Sequence, residues 1–191
     1  MKKITFLGYG KDDTRLIYEL EKRDCIVKRF NQKITSNNVE ESDLIISFGY
    51  RYILDNKFIS QCRCPIVNLH ISYLPFNRGA HPNFWSFYDD TPSGVSIHLI
   101  DKGIDTGPIL FQKKINFVNE KTFVETYKRL FIEIEGLFVK NIELIIQKNW
   151  NEKKQVGKGT FHSLKDLPNG FSGWESVIEE EIKRLKKKSI H

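Results

Sequence analysis

Asn68, His70 and Asp105 are the side chains of this sequence whose types and spacing could do chemistry together. Asn68 and His70 are two positions apart, so on extended backbone both point to the same side. Asp105 lies in the glycine-bounded run Asp101-Lys102-Gly103-Ile104-Asp105-Thr106-Gly107, which can swing a carboxylate into the same space. An amide, an imidazole and a carboxylate suit acyl transfer to an amine. The attacked carbonyl becomes a tetrahedral oxyanion, and a well-placed Asn N–H contributes on the order of 3 kcal/mol to holding it. An imidazole, with an ordinary pKa of about 6.5, can take a proton from the attacking nitrogen and return one to the leaving nitrogen. A neighbouring carboxylate orients that ring and favours its charged form. The sequence has no Gly-x-Ser-x-Gly elbow, so none of the three needs to act as a covalent nucleophile. From spacing alone, an Asn-x-His after a strand also serves as a cap or turn, and both readings stand at this point.

Such residues need a sheet to hold them. Residues 4–9, 26–30, 44–48 and 66–69 read as strands, the third a continuous apolar run as expected for a strand covered on both faces. Leu16, Ile17 and Leu20 recur at helical spacing between the first two, while residues 31–41 are polar and loop-like. Strands alternating with helices imply right-handed βαβ units and an α/β, Rossmann-like, doubly wound and mainly parallel sheet. Asn68 and His70 then sit beyond the carboxyl end of a strand, where open α/β sheets build their sites.

Residues 94–100 and 109–115 alternate in period two and read as strands added to the sheet, with room for an antiparallel one. Residues 122–147 predict one long amphipathic helix, with Phe123, Tyr127, Leu130, Ile134, Leu137 and Phe138 on one side. A loop-rich tail follows Trp150, with a last helix from about Trp174. Residues 1–150 are expected to form the catalytic domain and residues 151–191 a C-terminal extension of loop plus helix.

At 191 residues the chain can bury one good core and a small appendage, and its 40% hydrophobic content is ordinary for a globular protein. No apolar run approaches the roughly 20 residues that span a bilayer, and the first apolar stretch ends at Gly10-Lys11-Asp12-Asp13, so residues 4–9 read as a strand rather than a leader. A cytoplasmic protein without membrane partners is the expectation. Three cysteines agree: Cys62 and Cys64 are too close for an ordinary disulfide, a lone Cys-x-Cys is a poor zinc signal, and no metal is expected. Much of the net charge of +6 comes from Lys183-Arg184-Leu185-Lys186-Lys187-Lys188. A solvated last helical turn accounts for that run; attraction of phosphate-bearing substrates is the sharper alternative. No basic face interleaved with aromatics points to nucleic acid.

The stretch Asn68-Leu69-His70-Ile71-Ser72-Tyr73-Leu74-Pro75-Phe76-Asn77-Arg78-Gly79, followed by Gly94-Val95-Ser96-Ile97-His98 and Asp105-Thr106-Gly107-Pro108-Ile109, strongly resembles the folate-dependent formyltransferases. That family carries Asn-x-His, Ser-Leu-Leu-Pro, Arg-Gly and Asp-x-Gly-Pro in this order; Tyr73 replaces the first Leu here. The likeness is clear from about Leu44 to Ile115. It implies a formyltransferase-type sheet, Asn68, His70 and Asp105 as catalytic residues, and N10-formyltetrahydrofolate as donor. It also implies a folate pocket from Phe48-Gly49-Tyr50-Arg51-Tyr52-Ile53-Leu54, with Tyr50 and Tyr52 in the loop, Ile53 and Leu54 lining the ring slot, and Asp101 and Ile104 closing the other side.

Only about 40 residues follow Trp150, too few for the barrel of methionyl-tRNA formyltransferases. The purine-pathway members place a glycine-rich phosphate loop after the first strand, where this chain has Asp12 and Asp13. Residues 75–86 and 159–167 look most like the short sugar N-formyltransferases, which implies an amino-sugar nucleotide as acceptor. Ser72, Tyr73, Arg78, His81 and Trp85 are the candidate substrate contacts: Arg78 for a phosphate, Trp85 and Tyr73 for stacking. Core packing is the competing reading for Trp85. His81 and His98 read equally as ordinary pocket or strand residues or as ligands, and His162 as touching substrate or as ordering the tail. Two rival functions remain: a hydrolase passing the formyl group to water, and a non-catalytic folate- or nucleotide-binding module. The residues do not fix whether the C-terminal part completes a homodimer or caps the sheet.

Overall fold

A computed structural model describes residues 1–188; the last three residues of the expected extension lie outside the described residues. In chain order the elements are β1 (Lys3–Gly8), α1 (Leu16–Glu21), β2 (Ile26–Phe30), β3 (Leu44–Phe48), α2 (Asn56–Gln61), β4 (Ile66–His70), β5 (Arg78–Gly79), α3 (Pro82–Tyr88), β6 (Gly94–Leu99), β7 (Ile109–Lys114), α4 (Phe123–Lys140), α5 (Ile142–Gln147), β8 (Phe161–His162) and α6 (Ile178–Lys188).

Among the described residues six strands form the main sheet, in the order β2-β1-β3-β4-β6-β7. β1 to β4 pair in parallel, whereas β6 runs antiparallel to both β4 and β7. Alternation along each strand sends side chains to opposite faces. Phe6, Leu44, Ile46, Phe48, Val67, Leu69, Val95 and Ile97 face α1 and α4, meeting Leu16, Ile17, Leu20, Leu130, Ile134 and Phe138. Leu7, Ile45 and Ile66 face the other way, against Phe30, Ile34, Val39 and Phe58 of α2. Every residue of β3 is buried, which is why its sequence is a continuous apolar run. Each large core side chain contributes about 1.5–3 kcal/mol relative to exposure. The buried Glu135 of α4 accepts hydrogen bonds from the Thr14 hydroxyl and the Arg15 N–H, tying α4 to the turn before α1.

Two sequence expectations, both of helix bounds, need correction. The predicted helix over 122–147 is two helices. Asn141 ends α4: its amide Nδ2 donates to Leu137 O at 2.8 Å and its N–H to Phe138 O at 3.0 Å, a local competition that favours a cap over continued helix. The last helix begins at Ile178, not near Trp174, because residues 171–176 turn to pack Phe171 and Trp174 together, ring centroids 4.8 Å apart. The polar stretch 31–41 contains a single 3-10 turn, Ser36–Val39, whose reciprocal Thr35–Asn38 cap lets Val39 reach the core. β6 alternates in sequence but is buried on both faces from Gly94 to His98. Val95 and Ile97 meet the main core, Ser96 meets the turn that follows β4, and His98 meets Asn68 of β4 and Asp105.

The extension packs against the sheet domain. Phe84 and Trp85 of α3, Phe123 of α4 and Leu185 of α6 make a third apolar cluster. β8 pairs in parallel with β5, joining the extension to residues 78–79. In the basic run, the Arg184 Nη2 group donates to Gly170 O, Ser172 Oγ and Glu181, and Lys186 Nζ lies 5.5 Å from the Tyr88 ring centroid.

Candidate active site

β4 delivers Asn68 and His70 to one side of its carboxyl end, and both line a cavity of about 530 Å³. The antiparallel register of β4 with β6 sets Asn68 opposite His98 and His70 opposite Ser96. Facing residues on such strands have their side chains within contact range. The Asn68 Nδ2 group lies 3.1 Å from His98 Nε2 and 3.2 Å from Asp105 Oδ1. His98 is fully buried, and its Nδ1 is 2.8 Å from Leu99 O, which can only accept. Neutral His98 therefore carries its proton on Nδ1 and offers Nε2 as an acceptor to Asn68. The two Asn68 N–H groups are thus directed at His98 and at Asp105.

His70 is fixed in the same manner. Its Nε2 faces Asn77 O at 3.1 Å, so in the neutral ring Nε2 bears the proton and Nδ1 the lone pair. Asn77 is buried in the left-handed region (φ 55°), with its amide bonded to Thr91 and Thr160 hydroxyls. Ser96, opposite His70, donates from Oγ to Ser72 O and accepts from Leu74 N–H, pinning the turn after β4.

Asp105 sits between these groups. Its Oδ2 accepts from the Gly79 N–H at 2.9 Å and lies 3.7 Å from His70 Nε2; Oδ1 lies 3.4 Å from His98 Nε2. Burial by itself would raise this carboxyl, but His70 and then His98 in their charged forms, with the Gly79 N–H, override it and hold the group well below the usual carboxylate range. Asp105 has φ 53°, a left-handed conformation costing a non-glycine residue roughly 1–2 kcal/mol. Asn68, His70 and Asp105, 37 positions apart at the extremes, are brought within contact of one another, and His98 joins them.

The remaining predicted residues divide. Tyr50 and His81 line the cavity. Tyr50 also anchors its loop, accepting from Ile34 N–H and donating to Gln32 O. The Tyr52 ring lies 5.5 Å from that of Tyr50 and is half exposed. Ile53 is 76% exposed and Leu54 packs under the second core cluster, so neither is on the cavity wall. Ile104 is exposed, and Asp101 accepts from Gly103 N–H and Thr106 Oγ1, shaping the loop that carries Asp105. Ser72 donates to Phe76 O within the turn, and Tyr73 packs beside Gly94. Arg78 points its guanidinium at Gln155. Trp85 is 4% exposed, its ring stacked on His162 at 3.6 Å, so it stands in the core and off the cavity wall.

Sequence reading left several wall residues unassigned. Tyr9, Phe123, Tyr127 and Trp174 form an aromatic side to the cavity, with the Tyr9 and Tyr127 hydroxyls 3.0 Å apart and Trp174 5.2 Å from the His81 ring. Burial beside the indole lowers the pKa of His81. The strict alternation of Ser96 and His98 was the available signal for His98. Gly49 (φ 70°) keeps the other wall open: a Cβ there would meet the Tyr9 ring at 2.3 Å. An apolar and aromatic wall at Phe48-Gly49-Tyr50 fits a flat heterocycle such as a pterin. After β1, Asp13 accepts from the Gly10 N–H at 2.9 Å, so a carboxylate already takes a backbone donor that a phosphate loop would use. Among the described residues no cluster of His, Cys, Asp and Glu could hold a metal, and no helix is long and apolar enough to cross a membrane.

The structure is thus an α/β protein with a doubly wound sheet and an Asn–His–Asp cluster at the carboxyl end of its fourth strand. The chain belongs to the formyl transferase family, whose model matches residues 18–141. The crystal structure of the formyltransferase PseJ from Anoxybacillus kamchatkensis, in complex with UDP-4,6-dideoxy-4-formamido-L-AltNAc and tetrahydrofolate, is similar at 36% identity and TM-score 0.86, over 96% of this chain and 99% of that one. A dTDP-4-amino-4,6-dideoxyglucose formyltransferase of Mycobacterium bovis is 30% identical over 129 residues, 68% of this chain and 54% of its own length. A methionyl-tRNA formyltransferase of Fusobacterium nucleatum is 34% identical over 119 residues, 62% of this chain and 38% of its own length. The chain therefore spans about half the length, or less, of these curated relatives.

Proposed function

We propose that the protein transfers a formyl group from N10-formyltetrahydrofolate to the amine of a nucleotide-linked amino sugar. The observation that carries this is the end-to-end likeness to PseJ, whose crystal holds tetrahydrofolate and a UDP-linked 4-formamido sugar. A UDP-linked 4-amino-4,6-dideoxy sugar is the first acceptor to try. The donor, when bound, supplies the formyl carbon; Gly49, Tyr50 and the Asp101–Asp105 loop are the residues to hold it. Free thiols at Cys25, Cys62 and Cys64 support a reducing, cytoplasmic location.

The chain's own groups divide the work. His70 takes the proton of the attacking amine at Nδ1, whose lone pair is free because Nε2–H faces Asn77 O. The imidazolium so formed is stabilised by ionised Asp105, 3.7 Å from Nε2. Asn68 serves as donor to the developing oxyanion by redirecting the N–H now given to Asp105 Oδ1, while His98 retains the other. The aromatic side formed by Tyr9, Tyr127 and Trp174 is suited to the sugar or base of the acceptor. The two acids near the first turn, one of them already holding the Gly10 N–H, disfavour the purine-pathway reading.

The test mixes enzyme and N10-formyltetrahydrofolate with UDP-, dTDP- and GDP-linked 4-amino-4,6-dideoxy sugars, following tetrahydrofolate and the N-formyl sugar. Turnover dependent on an amino sugar is expected. Formate released at the same rate without any amine would instead identify a hydrolase.

A further inference from the structure

Of residues 151–158, all are exposed except Gln155. Two positions earlier, Lys153 exchanges both backbone hydrogen bonds with Ile109, at 2.8 and 2.9 Å, which fastens this strap to the start of β7 just beyond the Asp105 loop. Further on, Thr160 O accepts from Arg78 N–H and His162 O from Ala80 N–H, fastening the strap to the other site loop. Gln155 lies between the two anchors. Its Nε2 donates to Asp105 O and to Gly107 O, both at 2.8 Å. Its Oε1 accepts from Arg78 Nε at 3.1 Å and Nη2 at 2.8 Å. Both N–H groups and both oxygen lone pairs of the amide are therefore used.

These bonds close a ring. The Asp105 carboxylate accepts from Gly79 N–H, Gly79 follows Arg78, Arg78 donates to Gln155, and Gln155 returns to the Asp105 carbonyl. A left-handed Asp105 is held from both its side chain and its main chain, and the loop is latched to the segment that supplies one of its carboxylate's donors. We propose that Gln155 is a positioning residue for formyl transfer: the C-terminal strap, through this one amide, keeps the Asp105 carboxylate beside His70. This rests on the formyltransferase reading above. Gln155 touches no reacting atom, and Arg78 is engaged in the clamp rather than left open to a phosphate.

Gln155→Leu removes the whole clamp, and Gln155→Glu keeps the acceptor for Arg78 while turning both donors into acceptors. Each is expected to lower kcat by about 10–100-fold, the cost of an ångström-scale misplacement, with KM for either substrate within about 3-fold. Hydrogen exchange is expected to speed up in residues 101–108 and not in β1, β3 or β4. This second readout needs no turnover, so it tests the clamp even if no amino sugar is formylated, in which case only the functional reading falls. Unchanged kcat together with unchanged exchange in residues 101–108 would overturn the proposal. So would a fall in kcat accompanied by faster exchange throughout the sheet, since that marks general destabilisation.

Discussion

Asn68 and His98 stand directly opposite each other on neighbouring antiparallel strands, with the amide nitrogen 3.1 Å from the imidazole Nε2. Because Leu99 O fixes the His98 proton on Nδ1, that contact sets which way the Asn68 amide faces. His98→Phe keeps a buried ring but loses the acceptor. Its kcat is expected to drop about 10–100-fold with substrate KM values little changed. Steady-state kinetics check this, and a parental kcat would show that Asn68 needs no such partner.

Asp105 carries a pH signature. Its folded carboxyl is held below the usual range, so the stability it contributes is complete above its unfolded pKa of about 3.9 and is lost as pH falls through the folded value. The melting-temperature gap between the parent and Asp105→Asn is therefore expected to narrow as pH falls from about 5 to about 2. Thermal melts across that range measure it. A gap that stayed constant down to about pH 2 would contradict a depressed Asp105 carboxyl.

Two glycines give opposite expectations. Gly79 has φ 85°, and a Cβ there would lie 2.3 Å from His162 O, forcing β5 from β8 and the Gly79 N–H from Asp105. Gly79→Ala is expected to cost about 1–3 kcal/mol and to reduce kcat. Gly136 lies within α4 with open space around its Cβ position. Gly136→Ala is expected to gain about 0.4–1 kcal/mol without touching catalysis. Urea unfolding of both variants checks the pair of signs.

The doubly wound sheet was legible because β3 is buried on both faces and written as an apolar run, and apolar stretches at β1, β2 and β4 alternate with helical ones. That Asn68 and His70 share one side of a strand end was legible from their spacing, whereas the resemblance to the formyltransferases singled them out together with Asp105. His98 was visible only as the polar half of an alternating strand; its partner across the sheet is a fact of register, which one strand's sequence does not carry. Gln155 and Trp174 left less trace. Each sits in a loop with no period, and each acts through contacts with residues far away in the chain, Arg78 and Asp105 in one case and His81 in the other. The break of the long helix at Asn141 depends on a side chain capping Leu137, a choice that helical periodicity alone does not reveal. Trp85 reads identically as a stacking surface or as core until its burial against His162 is seen.

Single-turnover formyl transfer by Asn68→Ala, compared with the parent under saturating N10-formyltetrahydrofolate and amino-sugar nucleotide, tests the central claim most directly. The variant is expected to fold, to bind both substrates, and to transfer the formyl group about 10²–10³-fold more slowly. Transfer at the parental rate by the folded variant would contradict the assignment of catalysis to this cluster.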